Sequence, residues 1–381
     1  MQKKILELKL ETMTLGGDAL GTLEGKKIFV PWGVAGDRVR VEVVEDKKDF
    51  SRAKILEVLE KSPHRQEAPC KYFFKCGGCQ WQHIQYASQL QFKNEILKSS
   101  LQKIGKISDP KILEAISAPQ ELHYRNRIRL QVSRKGVMGF FRTQSKEVIE
   151  IEECLLAEEE LNQKIPAAKK LAEELLKKDN TISHEIEIRS QKNLSGSKVK
   201  VSLAADVEGE AHFGQINSLQ NEVLKKRVLD LLDLKGDEKV LELFAGSGNF
   251  TFPLSAQAKS VIAIESHAEA VQLAYDLMKK KHVRNVEFIE SSAHRYLANL
   301  NSDTNFDRIL LDPPRAGMLE GIEELKKLKA STILYISCDP ATLARDLRIL
   351  IDQGYQHEFS QVIDMFPQTY HIESITRLQL A

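Results

Sequence analysis

Cys338 stands in Tyr335-Ile336-Ser337-Cys338-Asp339-Pro340, just past the apolar run Thr332-Ile333-Leu334-Tyr335-Ile336. Many cysteines in apolar runs are simply small core hydrophobes. Past the strand end, beside Ser337, Asp339 and Pro340, the thiol instead reads as a nucleophile at a ligand-binding edge. A thiolate activates an unsaturated ring by adding to it, and the ring is restored when a base removes a proton from the neighbouring carbon. Glu373, in His371-Ile372-Glu373-Ser374, is the candidate base. Taken alone, it could equally be a solvent-facing strand carboxylate.

Other strand-like runs end in residues suited to a nucleoside. Val240-Leu241-Glu242-Leu243-Phe244 leads into Ala245-Gly246-Ser247-Gly248-Asn249-Phe250, whose glycines allow a tight turn and close backbone approach to a ligand. Phe244 and Gly246 are the expected contacts there. Thr251 occupies the third glycine position of the dinucleotide pattern, which weakens a nicotinamide or flavin reading. Glu265 ends the next run, 17 residues after Gly248, where an acid can accept hydrogen bonds from ribose hydroxyls. Ser292, after Val286-Glu287-Phe288-Ile289, could reach an adenine. Arg308-Ile309-Leu310-Leu311-Asp312 continues into Pro313-Pro314-Arg315, and two prolines make a rigid, extended lip. That lip resembles the one with which nucleic-acid methyltransferases present a planar base to S-adenosylmethionine. Asp312 and Gln215 are candidates for holding ring carbonyls and stabilising an enolate.

The elements that must position these residues fall into three regions. From Lys4 to about Ser62, short alternating strands broken by Gly16-Gly17-Asp18, Glu24-Gly25-Lys26 and Val34-Ala35-Gly36-Asp37 predict a small closed barrel of OB type. Pro63 and Pro69 bracket a polar linker. Residues 70–205 read as a mixed α+β region, with helices over Gln85–Lys106 and about Ala157–Lys178 and strands between and after them. From about residue 215, strands and helices alternate in the rhythm of an α/β, doubly wound, mostly parallel sheet.

Composition bounds the setting. A chain of 381 residues can hold two or three domains, and no run approaches the length of a membrane span. The N-terminus lacks the apolar core of a signal peptide, so a cytoplasmic protein without a membrane partner is expected. The net charge of +1 conceals a stretch from Leu122 to Lys146 with Arg125, Arg127, Arg129, Arg134, Lys135, Arg142 and Lys146 and no acid. Such a stretch suits a polyanion, though a solvated strand face would read alike. Cys70, Cys76, Cys79 and Cys154 come early, and a cytosolic setting argues against disulfides. Their spacing suits zinc and an iron–sulfur cluster alike.

Phe213-Gly214-Gln215-Ile216-Asn217, the glycine loop, Asp312-Pro313-Pro314-Arg315, Ser337-Cys338-Asp339-Pro340 and His371-Ile372-Glu373 occur in the order seen in the RNA uridine-C5 methyltransferases. The N-terminal barrel is similar to the TRAM domain, an OB-like RNA-binding module, so the resemblance covers nearly the whole chain. It implies Cys338 as nucleophile toward uracil carbon 6 and Glu373 as acceptor of the carbon-5 proton. It also implies S-adenosylmethionine as methyl donor, with Gln215, Glu265 and Asp312 as cofactor or uracil contacts. Cys70, Cys76, Cys79 and Cys154 resemble the [4Fe-4S] ligands of the ribosomal-RNA branch, which makes 23S ribosomal RNA the expected partner, with transfer RNA the alternative, and a monomer the expected state. Ser292 departs from the family, where Asn is frequent. The implied layout is a TRAM barrel over 1–64, an iron–sulfur RNA-binding domain over 65–205 and a class I methyltransferase domain over 206–381, with helix 85–106 packing on the last.

Rival readings meet specific residues. Radical methylthiotransferases that join a TRAM domain to a cluster use a shorter first cysteine gap than the five residues here. Cytosine-C5 methyltransferases carry a cysteine on the Asp-Pro lip, where this chain has Pro314 and Arg315. An RNA-binding assembly factor would have no need of Cys338 and Glu373.

Overall fold

Alternation of buried and exposed side chains organises the N-terminal segment. In β1 (Ile5–Met13), Leu8, Leu10 and Met13 point inward. β2 (Ala19–Leu23), β3 (Lys26–Val30), β4 (Arg38–Asp46) and β5 (Phe50–Glu60) complete a closed barrel in the order β1-β2-β3-β5-β4. Closure pairs every edge, which a five-stranded sheet of this size needs. The computed structural model describes residues 4–179, 181, 183–193, 196–204, 214–301 and 304–381. Phe213 and the 205/206 boundary lie outside the described residues.

The chain divides into two compact units, each assembled from separate segments. The first comprises Met1–Ile96, Gln120–Ala205 and Phe366–His371. Beside the barrel, buried Asp37 accepts from the Arg65 guanidinium (2.7–2.9 Å) and from the Val34 and Ser62 N–H groups, fastening the linker to β4. Removing one partner of so buried a pair costs about 3–5 kcal/mol. Trp81 is fully buried, and its indole N–H donates to Gly17 O at 3.0 Å. The segment Phe366–His371 is held by Gln89 and Lys93 of α1 (Tyr86–Lys103) and by the Tyr124 hydroxyl, which donates to Pro367 O.

β6 (Ile112–Ile116) belongs to the second unit, whereas β7 (Arg127–Val132), β8 (Met138–Phe141), β9 (Val148–Glu150), β10 (His184–Asn193) and β11 (Gly196–Leu203) form an antiparallel sheet. Its Ile128, Leu130, Val132, Ile186 and Ile188 pack on Ile165, Ala168 and Ala172 of the helix above. The single helix expected over about 157–178 is two, α2 (Glu159–Asn162) and α3 (Ile165–Lys178). Pro166 is the cause: lacking an N–H, it fits a first helical turn and not an interior. The basic stretch is also less free than its sequence implies. Glu187 comes into register with Arg129 and pairs with it and with Arg189, and Glu147 pairs with Arg142.

The second unit comprises Leu97–Pro119, Asp206–Met365 and Ile372–Ala381. Its sheet adds to β6 the strands β12 (Lys239–Leu243), β13 (Ser260–Glu265), β14 (Val286–Glu290), β15 (Arg308–Leu311), β16 (Thr332–Ser337), β17 (Tyr355–Ile363) and β18 (Ser374–Leu380), in the order β14-β13-β12-β15-β16-β18-β17-β6. Strands β12 to β16 run parallel, and β16 is buried throughout and β15 at all but its first residue, as strands covered on both faces are. β18 is antiparallel to β16, and β6 joins parallel to β17. Among the described residues no helix is long and apolar enough to cross a membrane.

Candidate active site

Parallel strands deliver their carboxyl ends to one edge of the sheet, and there Phe244, Glu265, Asp312 and Cys338 follow or end their strands. Glu373 reaches that edge by the opposite route. Ser337 pairs with Ser374 across β16 and β18, so the residue after one meets the residue before the other. Cys338 is half-buried and Glu373 almost wholly buried.

The electrostatics tie these groups together. Burial, then the charge of Glu373, pushes the Cys338 thiol up to about 11, with Asp312 and Asp339 adding to the rise and Arg315 opposing it. Burial, then Asp312, pushes Glu373 up to about 8, again against Arg315. Burial raises Asp312 to about 7. Glu373, Asp312 and the Cys338 thiol therefore act on one another at this sheet edge with Arg315 opposing the rise of Cys338 and Glu373, and these three groups hold their protons more tightly than ordinary side chains do. A group that titrates near neutrality in this way is suited to proton transfer.

Local structure makes the nucleophile's turn rigid. Asp339 caps α5 (Pro340–Asp352) by accepting from Ala341 and Thr342 N–H, and Pro340 fills the first helical turn. The Ser337 hydroxyl bridges the Asp339 N–H and carbonyl. Helix α5 also grips the lip after Asp312. Thr342 Oγ1 donates to Arg315 O (3.0 Å) and Arg345 to Ala316 O (2.8 Å), while buried Asp346 accepts from Met318 N–H (2.7 Å) and Tyr335 OH (2.6 Å). Gly317, at φ +73°, is required where a Cβ would lie 2.5 Å from Asp346 Oδ2. The helix that starts two residues after Cys338 thus sets the position of the lip.

The glycine loop is shaped for a ligand. Phe244 adopts φ +65° and Gly246 φ +55°, and a Cβ on Gly246 would meet open space. Glu265 accepts from Gly246 N–H (2.9 Å) through Oε2 and from Ser266 and His267 N–H through Oε1, with the His267 ring 2.8 Å away. Burial works against the charge of Glu265, but these donors together prevail and hold its carboxyl below the usual range. It is therefore an ionised acceptor at a strand end. Gln215 lies half-buried, two residues before Asn217, which caps α4 (Ser218–Leu232). Ser292 Oγ accepts from Arg295 N–H and caps the short helix Ala293–Ala298.

Glu242 escaped the sequence reading because it sits inside an apolar run. It is fully buried, one oxygen accepts from Thr251 Oγ1 at 2.6 Å, and the other has no protein partner. Burial pushes it up to about 8, with Asp312 and Glu265 contributing. An unsatisfied buried carboxyl oxygen beside the glycine loop fits a site built for a polar ligand such as S-adenosylmethionine. The signal available was an acid at an inward position of a two-sided strand.

The early cysteines are half-buried in the first unit. Burial pushes up the thiols of Cys76, Cys154 and Cys79, the last to about 12. Cys76 and Cys154 feel the charge of Cys70, Cys79 feels that of Cys76 and Cys154, and all three feel Arg125. Among the described residues no three His, Cys, Asp or Glu side chains gather closely enough to hold one metal ion.

Comparison with known proteins agrees with this geometry. Residues 191–380 match the model of the tRNA (uracil-5-)-methyltransferase family, and residues 8–64 match that of the TRAM domain of tRNA (uracil(54)-C(5))-methyltransferase. An RNA methyltransferase of Aquifex aeolicus is 35% identical over the whole of both chains. The 23S rRNA (uracil(1939)-C(5))-methyltransferase of Haemophilus influenzae is 33% identical over 98% of this chain and 96% of its own. Among solved structures, the Pyrococcus abyssi tRNA (uracil-54, C5)-methyltransferase in complex with S-adenosyl-L-homocysteine superposes with a TM-score of 0.74 at 24% identity, covering 98% of this chain and all of its own, a likeness of fold.

Proposed function

Because this chain belongs to the S-adenosylmethionine-dependent RNA uracil-C5 methyltransferases, we propose that it forms 5-methyluridine in 23S ribosomal RNA through a covalent bond between Cys338 and uracil. The observation that carries the mechanism is the pairing of Ser337 with Ser374, which sets the Cys338 thiol beside the Glu373 carboxyl. The Cys338 thiolate adds to carbon 6, and the ring electrons move to the carbonyl at carbon 4. Asp312, whose carboxyl burial raises to about 7 so that part of it keeps its proton near neutrality, would donate to that carbonyl oxygen. S-adenosylmethionine, held by Gln215, Phe244, Gly246, Glu265 and Ser292, supplies an electrophilic methyl group. Carbon 5 takes the methyl, Glu373 removes the carbon-5 proton, and the carbon–sulfur bond breaks to release thiolate and product. The target uridine must leave its stack to reach a half-buried thiol.

The division of labour follows the sequence layout. Residues 1–64 and 65–205 bind RNA, residues 206–381 carry the chemistry, and the protein acts as a monomer. Ribosomal RNA is favoured by near full-length likeness to the Haemophilus enzyme, and transfer RNA is the alternative. We assign Cys70, Cys76, Cys79 and Cys154 to a structural [4Fe-4S] cluster. In such a cluster each thiolate ligates a different iron, a looser grouping than one tetrahedral ion demands, and the mutual charge coupling of these thiols suits it. Anaerobically purified protein is expected to contain about four iron and four sulfide per chain, the content of one such cluster. Stoichiometric zinc instead would reject the cluster. The target is tested with labelled S-adenosylmethionine and separate ribosomal and transfer RNA pools lacking 5-methyluridine. Label in 5-methyluridine of the large ribosomal RNA is expected. Label confined to transfer RNA would overturn the assignment.

A further inference from the structure

A groove of about 500 Å³ opens within the first unit and includes none of the residues around Cys338. It is bounded by the barrel turns Gly16–Asp18 and Pro31–Trp32, by the cysteine loop Gly77–Gln80, by the hairpin after β8, and by Tyr370. Its size falls in the roughly 300–1,000 Å³ range of sites that enclose a small molecule. The walls are aromatic and glycine-rich. Trp32 takes φ +58°, a backbone state that a bulky residue adopts only when its surroundings impose it. Its ring meets Phe74 edge-on at 5.9 Å. Phe141 stays 41% exposed although it lies in a strand. Tyr370 covers Gly17 so closely that a Cβ there would lie 2.7 Å from its ring.

The groove is also lined by Asp18, Gln80, Arg142, Thr143, Gln144 and Ser145, and the Asp18 carboxylate is paired with Arg52 at 3.0 Å. Gln80 donates through Nε2 to Gly77 O at 2.8 Å, leaving its buried Oε1 without a partner. Arg142 at the rim pairs with exposed Glu147, a surface contact weak enough to yield to a phosphate. Arg142 and Phe141 also belong to the acid-free basic stretch. Aromatic faces, an unpartnered acceptor and a guanidinium match a single unstacked nucleotide. An unpaired acceptor calls for a donor, which the exocyclic amines of adenine, cytosine and guanine supply at the base edge, whereas uracil offers only an N3–H flanked by two carbonyls that repel the acceptor.

Deepening the reading of this chain as an RNA methyltransferase, we propose that the groove receives a second everted base of the substrate RNA, one bearing an exocyclic amine and distinct from the target uridine. The aromatic rings stack on the base, Gln80 Oε1 accepts from its amine, and Arg142 meets its phosphate. The groove would thereby help choose which RNA loop is modified.

The test uses the full chain, with short oligo(A), oligo(C) and oligo(U) and the large ribosomal RNA as probes. Trp32→Gly removes the ring and suits the backbone, and Phe141→Ala removes the exposed ring from the hairpin. Each is expected to weaken ribosomal-RNA binding by roughly 5- to 100-fold, the effect of losing one stacked base. S-adenosylmethionine affinity should not change. Oligo(A) or oligo(C) should bind wild type more tightly than oligo(U), and ultraviolet cross-links should map to Trp32 or Phe141. Unchanged RNA affinity in both variants, or cross-links that avoid the groove, would overturn the proposal and leave the groove to a protein partner. Failure of the methyltransferase reading shows separately, as absence of methyl transfer by the wild-type chain.

Discussion

Cys338→Ala should lower 5-methyluridine formation by at least about 10⁴-fold while leaving S-adenosylmethionine affinity within about twofold. Carbon 5 of uracil is too weak a nucleophile to take a methyl group from a sulfonium unless a thiolate has first added at carbon 6. No other cysteine is expected to substitute, since the remaining four are the thiols assigned to the cluster. The fold should tolerate the change: the thiol is half-buried, and the turn is held by Ser337 and Asp339 rather than by sulfur. The measurement is transfer of labelled methyl to RNA at saturating cofactor, followed by nucleoside analysis. Methylation that survives in the variant would rule out the covalent route.

Glu373→Gln separates methyl transfer from release. An amide cannot take the carbon-5 proton, so the methylated adduct stays bonded to Cys338. Turnover should fall by about 10²–10⁴-fold, the usual worth of a general base. A protein–RNA adduct stable to denaturing electrophoresis should accumulate and carry the labelled methyl group. The pH dependence carries a second signature. Glu373 is pushed up to about 8 and works only when ionised, while Asp312, at about 7, donates only when protonated. Wild-type turnover should therefore follow a bell with its maximum between about 7 and 8 and a rising limb that belongs to Glu373. The amide variant should lose that limb.

The same shift predicts stability with a defined sign. With its folded value raised above the ordinary 4.5, Glu373 binds a proton more readily in the native than in the unfolded chain. Its contribution is therefore fully present below about 4.5 and is lost as pH rises through about 8. Neutral glutamine escapes that loss, so the variant should melt no lower than wild type at pH values near the top of this window. A well-folded variant that neither accumulates adduct nor loses turnover would reject Glu373 as the base.

Much of the site could be read from local pattern. Short apolar runs ending in Glu265, Asp312 and Cys338 announce strands buried on both faces, and in a doubly wound sheet their ends face ligand. The barrel was equally legible, because alternation has a period of two and glycine turns punctuate it. Glu242 was not, since an acid within an apolar run gives no sign of which partner, if any, meets its two oxygens. Nor was the neutralisation of Arg129, whose acid arrives from a strand 58 residues away.

The sequence by itself determined the chemical types, their order and the strand ends that carry them, because these follow from residue identity and short-range periodicity. Tertiary structure alone decided that β18 lies antiparallel against β16, which brings Glu373 to Cys338. It also decided that β6 crosses to the far edge of the sheet, and that Phe366–His371 joins the first unit although Glu373 belongs to the second. Strand pairing at such separations is settled by the burial of whole faces, a sum over the chain that no local window contains. The perturbed Cys338, Glu373 and Asp312 are likewise products of enclosure: each has an ordinary affinity for its proton until the sheet edge closes around all three.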